Sequence, residues 1–121
     1  MITIDSYIIS TGQLDSLTNF LVNVFEMEVV EQSQEAVELQ LSGVHIRLIP
    51  TSTPTSSSVA KVLFRSSSLD EISELMQRVE FFYFANDITA PSVTIENHID
   101  SEQLASVFAP DGSRWDIFYL N

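Results

Sequence analysis

The sequence contains no cysteine. That excludes a disulfide framework, a thiol nucleophile and a cysteine-bound metal. Three glycines in 121 residues are too few for a Gly-rich phosphate loop. Basic residues are also scarce: five Lys and Arg stand against 17 Asp and Glu, a net charge of −12. Binding a nucleic-acid backbone requires clustered Lys and Arg, so nucleic acid is excluded as a partner. An anionic membrane surface is excluded on the same ground. The charge favours solubility and, weakly, a cationic partner. No apolar run is long enough to span a membrane, and the opening MITIDSYIIS lacks the basic region of a signal peptide. A cytoplasmic location is the resulting expectation.

A length of 121 residues allows one domain with a core of its own. Residues 2–10 alternate as a strand. Leu14, Leu17, Phe20, Leu21 and Val24 then fall on one face of a helix. Met27 to Val30 reads as a short strand. Val37, Leu39 and Leu41 alternate with Glu38 and Gln40, the pattern of a half-buried strand. Ser42-Gly43 signals a turn, and GVHIRLIP returns as the hairpin partner. TSTPTSSS, residues 51–58, reads as a linker before the strand VAKVLFRS. Ser68 and Glu71 have capping-box spacing, and the helix behind them aligns Leu69, Ile72, Leu75, Met76 and Val79. The run Phe81 to Phe84 reads as core packing after a helix, or else as a dimer patch or lid. Two further strands, a turn at Pro110-Asp111-Gly112 and the strand SRWDIFYL close the chain.

The chain repeats itself. A shift of 55 positions carries Leu14, Leu17, Phe20, Leu21 and Val24 onto Leu69, Ile72, Leu75, Met76 and Val79. A shift of 69 carries Ile46, Arg47 and Leu48 onto Trp115, Asp116 and Ile117. The second copy therefore holds 14 extra residues between its helix and its closing hairpin. Each copy reads strand, helix, then three strands, and duplication of that unit sets the architecture.

Two segments carry a resemblance. FLVNVFEMEVVEQ, residues 20–32, resembles the F-Y-x-x-x-L-G-F/M-x-V pattern of the vicinal oxygen chelate superfamily, with Phe25-Glu26 in place of Leu-Gly. APDGSRWDIFYL, residues 109–120, resembles that superfamily's closing D-P-x-G-x-x-x-E-L hairpin. The superfamily includes glyoxalase I, bleomycin-resistance proteins and extradiol dioxygenases. The resemblance covers nearly the whole chain. It implies an α+β fold: two paired βαβββ modules forming a curved mixed sheet around a concave groove, helices outside. It implies one glyoxalase-like domain over 1–121, with module one at 1–50, a linker at 51–58 and module two at 59–121. It also implies a homodimer. The superfamily's metal positions correspond to Ser6, Arg47, Lys61 and Asp116 here. Arg has no acceptor atom and protonated Lys has none, so only Asp116 suits a metal. No metal and no cofactor is the expectation.

Alternation assigns faces independently. Val37, Leu39, Ile46, Leu48, Trp115 and Ile117, with Tyr7, Ile9 and Val44, should lie under the helices. The other face collects Ser6, His45, Arg47, Lys61, Arg65, Arg114 and Asp116, beside Glu38, Glu96 and His98. Four of the five basic residues fall there. Arg suits bidentate recognition of carboxylate or phosphate. Ser6, His45, Arg47, Lys61, Arg65, Arg114 and Asp116 are therefore the candidate ligand-binding residues, and a small anionic molecule is the candidate ligand. The competing reading pairs these bases with Glu38, Glu96 and Asp116 across strands.

The resulting expectation is a metal-independent small-molecule binding protein of the glyoxalase and bleomycin-resistance type. No catalytic constellation is recognisable. The alternatives are a metal-dependent lyase, isomerase or dioxygenase with ligands drawn from His45, His98 and the carboxylates, or sequestration of a cationic antibiotic. A protein-interaction module using the acidic surface or Phe81 to Phe84 is a further alternative.

Overall fold

Among the described residues, the two periodicities resolve into eight strands and two helices in the computed structural model of the chain. The structure describes Ile2 and residues 6–52, 59–66, 68–89, 93–97 and 102–120. Within these, the side chains of 59–64, 93–97, 102–104 and 119–120 are not described. The elements are β1 (Tyr7–Thr11), α1 (Leu14–Val24), β2 (Glu28–Gln32), β3 (Val37–Leu41), β4 (Val44–Pro50), β5 (Val59–Ser66), α2 (Leu69–Ala85), β6 (Val93–Asn97), β7 (Glu102–Phe108) and β8 (Arg114–Leu120). They form two mixed four-stranded sheets, ordered β1-β4-β3-β2 and β5-β8-β7-β6. Each sheet has one parallel pair, formed by its first and last strands, and two antiparallel pairs. This is the βαβββ arrangement, an α+β fold.

The repeat is visible in the pairing. Ile8 lies opposite Arg47 and Ile9 opposite Leu48 in the first sheet. At the two sequence shifts, Leu63 lies opposite Asp116 and Phe64 opposite Ile117 in the second. The extra length of the second copy enters in four places, one being the seven residues between α2 and β6 against three between α1 and β2. Helix α2 has 17 residues against 11 in α1. The β6–β7 hairpin is longer than β2–β3. The closing turn has one more residue: Ser42 and Gly43 join β3 to β4 at φ 51° and 79°, whereas Pro110 to Gly112 sit inside an Ala109–Ser113 backbone bond. Positive φ at both central residues matches the right-handed twist of the flanking strands, and Gly43 takes it without a Cβ penalty.

The core is one cluster drawn from both modules. Leu17, Phe20, Leu21 and Val24 of α1 meet Ile72, Leu75, Val79 and Phe82 of α2, over Val37, Leu39, Ile46 and Leu48 and over Val107, Trp115 and Ile117. Phe20 packs edge-on to Phe82 at 5.6 Å between centroids, which joins the two helices directly. The expected inner faces are therefore present, with two exceptions. Tyr7 and Val44 are 43% and 42% exposed. Val44 opens β4 at its turn, and Tyr7 opens β1, an edge strand of its sheet.

Polar contacts close the ends. Ser68 caps α2, its Oγ accepting from the Glu71 N–H at 3.4 Å. Only half of the capping box forms: the Glu71 carboxylate accepts from Ser66 Oγ rather than from Ser68 N–H. At the other end Asp87 (φ 55°) reverses the chain, and the Asp87 and Ile88 N–H groups donate to Phe84 and Tyr83 carbonyls. Glu26 (φ 58°) reverses the chain after α1, at the position of the superfamily pattern's Gly. Between modules, Thr11 Oγ1 donates to Asp111 Oδ2 at 2.7 Å. Asp111 also accepts from Ser113 N–H and Oγ–H, and Ser113 Oγ accepts from Trp115 Nε1 at 2.9 Å. Arg78 Nε donates to the Val24 carbonyl at 2.8 Å, bracing α2 on the end of α1.

Tyr83 is buried in α2 and its hydroxyl donates to the Phe108 carbonyl. Burial raises its pKa from the ordinary 10.0, and the Asp111 carboxylate adds to the rise. The folded chain thus holds this proton more tightly than the unfolded chain. Its contribution to stability is complete below the unfolded pKa and is lost as pH rises through the raised one. Wild type should lose stability above about pH 10 more steeply than Tyr83→Phe, read by urea denaturation across pH. Equal slopes for the two proteins would contradict this assignment.

No helix among the described residues is long and apolar enough to cross a membrane.

Candidate functional site

The polar face of the first sheet is built by register. Ile8 on β1, Arg47 on β4, Glu38 on β3 and Glu31 on β2 form one row across four strands. Gln40 and His45 form the next, with Glu28 beyond Gln40. Their partners inward are the buried Val37, Leu39, Ile46 and Leu48, so alternation forces these side chains outward. His45 Nδ1 sits 3.6 Å from Glu38 Oε1, and Gln40 Nε2 donates to Glu28 Oε2 at 3.1 Å. Arg47 is half-buried directly opposite Glu38. Among the described residues no hydrogen-bond or ion-pair partner engages it.

Arg47 borders a cleft of about 180 Å³ shared with Glu31, Ser33, Ala36 and Glu38. The cleft's rim is held by the β2–β3 turn. Ser33 N–H donates to the Ala36 carbonyl at 2.9 Å, while Ser33 Oγ accepts from Glu35 and Ala36 N–H groups at 3.2 Å. The site therefore combines one guanidinium, two carboxylates and a hydroxyl on a fixed frame.

The second sheet presents a different arrangement. Asp116 is buried and accepts from Ser106 Oγ at 2.7 Å, from Arg114 Nε at 2.8 Å and from Arg114 Nη2 at 3.2 Å. Residues two apart on a strand share a face, which lets Arg114 fold along β8 onto Asp116. Arg114 thus pairs with Asp116 within its own strand, as the cross-pairing alternative for the bases allowed. Asp116 lies opposite Leu63, and Arg65 opposite Phe118. Arg65 is exposed at the end of β5. Lys61 falls in the stretch of β5 where the pairing slips between Val59 and Leu63, and its side chain lies outside the described ones. Ser6 precedes β1 and is half-buried. His98 lies outside the described residues, as does the side chain of Glu96.

The structure brings His45 to Glu38, opposite Arg47, and separately brings Arg114 to Asp116. Sequence reasoning missed Ser33 and Ala36, whose place at the cleft follows from a turn geometry that periodicity does not report. Glu31 is exposed, and it also lines the cleft.

Two of the positions that the resemblance marks for a metal are poorly suited to one. Arg47 offers donors only, and both oxygens of Asp116 are engaged by Arg114. Among the described residues no group of three His, Asp or Glu could hold an ion.

No protein-family model matches the sequence, and no curated protein matches it. Solved structures do match its shape. The fosfomycin resistance protein FosX from Listeria monocytogenes superposes with a TM-score of 0.77 at 13% identity, covering 100% of this chain and 95% of that one. The chain has the vicinal oxygen chelate fold. A lactoylglutathione lyase from Agrobacterium tumefaciens matches with a TM-score of 0.73 at 14% identity, over 97% of this chain and 92% of that one. A glyoxalase/bleomycin resistance protein/dioxygenase from Nocardioides matches with a TM-score of 0.67 at 15% identity, over 99% and 84%. The vicinal oxygen chelate fold thus extends along nearly the full length of this chain. Likeness at this identity is likeness of fold, and chemistry must be argued from the residues present.

Proposed function

We propose that this chain is a metal-independent binding protein for a small anionic molecule, with Arg47 as the principal anchor. The observation that carries the reading is a half-buried guanidinium without a described partner, facing a cleft on a polar sheet face. A guanidinium in that setting favours a planar anion, because a carboxylate or phosphonate accepts two parallel N–H bonds. Glu31 and Glu38 add a second requirement. The ligand must also bring hydrogen-bond donors, which points to hydroxy or amino acids rather than simple inorganic anions. Ser6, His45, Lys61 and Arg65 are proposed as further contacts. Arg114 and Asp116 are proposed as a positioning pair for the second sheet. Metal independence is supported by the residue types at Arg47 and Lys61. A homodimer in a cytoplasmic setting completes the proposal.

The test is a thermal-shift panel of small carboxylates, phosphates and phosphonates, with fosfomycin included because FosX, which shares the fold, is named for it. A ligand at 100 times its dissociation constant should stabilise the protein by about 2.7 kcal/mol. Arg47→Ala should weaken binding about 10- to 100-fold, the worth of a charge-assisted hydrogen-bond pair. It should leave the stability of the free protein nearly unchanged, since Arg47 has no described partner to lose. A panel without any shift, and identical behaviour of Arg47→Ala, would refute the anionic reading.

A further inference from the structure

Helix α2 outruns its counterpart. At the repeat shift Val79 matches Val24, the last residue of α1, so Glu80 to Ala85 have no equivalent in the first module. The added turns read Glu-Phe-Phe-Tyr-Phe-Ala. Phe82 and Tyr83 turn inward and are buried. Phe81 and Phe84 turn outward and are 71% and 84% exposed. Residues three apart are neighbours on a helix surface, so the two rings form one patch. Gln77 and Glu74 continue the same stripe toward the start of the helix. The patch borders a cleft of about 670 Å³ between the helices, whose walls include Asn19, Asn23, Gln77 and Arg78.

Two phenylalanine rings held in water on the same turns that send Phe82 and Tyr83 into the core form an uncovered apolar patch, a docking surface. Charge selects the cover. The exposed residues around the patch include Glu74, Glu80 and Asp87, with Asp70 and Glu71 at the other end of α2. The one base on this helix, Arg78, is turned onto the Val24 carbonyl. The chain as a whole carries −12. A second copy seated patch on patch would set Glu74 and Glu80 against acids of the same kind, and an anionic membrane would be repelled. A basic partner is drawn in and oriented. An amphipathic helix laid along a groove between two helices presents apolar anchors at the spacing Phe81 and Phe84 offer.

We propose that the α2 extension and the adjoining α1–α2 cleft dock a basic amphipathic helix of a partner protein. Its apolar face sits on Phe81 and Phe84, and its Lys and Arg side chains face Glu74 and the neighbouring acids. This surface is independent of Arg47 and of the small-molecule reading.

The probe is a fluorescein-labelled synthetic peptide of about 20 Leu and Lys residues, with Leu at helical spacing. A scrambled peptide of the same composition is the control for charge alone. Fluorescence anisotropy should show the full chain binding the amphipathic peptide about tenfold or more tightly than the scrambled one. Phe81→Ser/Phe84→Ser should abolish that preference while keeping its far-UV circular dichroism, because both rings are exposed. Equal affinity of the wild type for both peptides would overturn the proposal. So would an unchanged preference in the double variant. Sedimentation velocity of the chain alone supplies the remaining arm: a dimer that the double variant dissolves would mean that a second copy covers the patch, which also overturns it.

Discussion

Trp115→Ala should lower the stability of this chain by about 3–5 kcal/mol, the range for a fully buried aromatic side chain. The total stability of a domain this size is about 5–15 kcal/mol, so the variant should be near its folding threshold. Trp115 is wholly buried on β8. Its ring lies 6.1 Å from that of Phe25, which follows α1 in the other module. Removing the indole therefore opens a void where the two modules meet, and a void of that size relaxes only in part. The indole N–H also donates to Ser113 Oγ. Trp115→Phe should keep most of the packing and lose the hydrogen bond, for a smaller cost of about 1–2 kcal/mol. Trp115 is the chain's one tryptophan, so unfolding must be followed by far-UV circular dichroism rather than indole fluorescence. A cost below about 1.5 kcal/mol for Trp115→Ala would mean that the packing around β8 is looser than described.

The second large effect is expected at Asp111. Its carboxylate is buried in the closing turn and accepts from Thr11 Oγ1, Ser113 N–H and Ser113 Oγ. Asp111→Ala would strand three donors in a site that water does not freely enter. Each unsatisfied group costs about 1–3 kcal/mol, so a loss of about 3 kcal/mol or more is expected. The Thr11 bond can be isolated by a double-mutant cycle. Thr11→Val and Asp111→Ala together should cost less than the sum of the single changes, with a coupling of about 1 kcal/mol or more. Thr11 ends β1, and Asp111 lies 100 residues further on. Coupling between them would show that the modules are locked by this contact as well as by the core. Strict additivity would show that the bond contributes nothing to module docking.

Local structure was largely legible in the sequence. The helical spacing of Leu14 to Val24 and of Leu69 to Val79 marked both helices, and the alternation of Val37 to Leu41 marked a strand and its inner face. The two sequence shifts gave the duplicated βαβββ plan, because like modules bury like positions. What periodicity could not give was partnership. Arg114 and Arg47 both belong to outward-facing positions, yet Arg114 closes on Asp116 while Arg47 lies open beside Glu38. That choice depends on which side chain stands two residues away on the same strand. Thr11 and Asp111 were illegible as a pair because tertiary packing alone brings them together. The run Phe81 to Phe84 reads as uniformly apolar, but helical phase divides it. Two rings enter the core and two face solvent. Likewise the cleft at Arg47 depends on the Ser33 to Ala36 turn, which carries no strong composition signal.

The central claim is that Arg47 anchors a small anion in a protein that needs no metal to bind it. Native mass spectrometry on protein purified without chelator, repeated after denaturation, tests this most directly. The account predicts a small anionic molecule released on denaturation, absent from Arg47→Ala, with no metal retained in either protein. A metal ion held in stoichiometric amount by wild type and Arg47→Ala alike would contradict it.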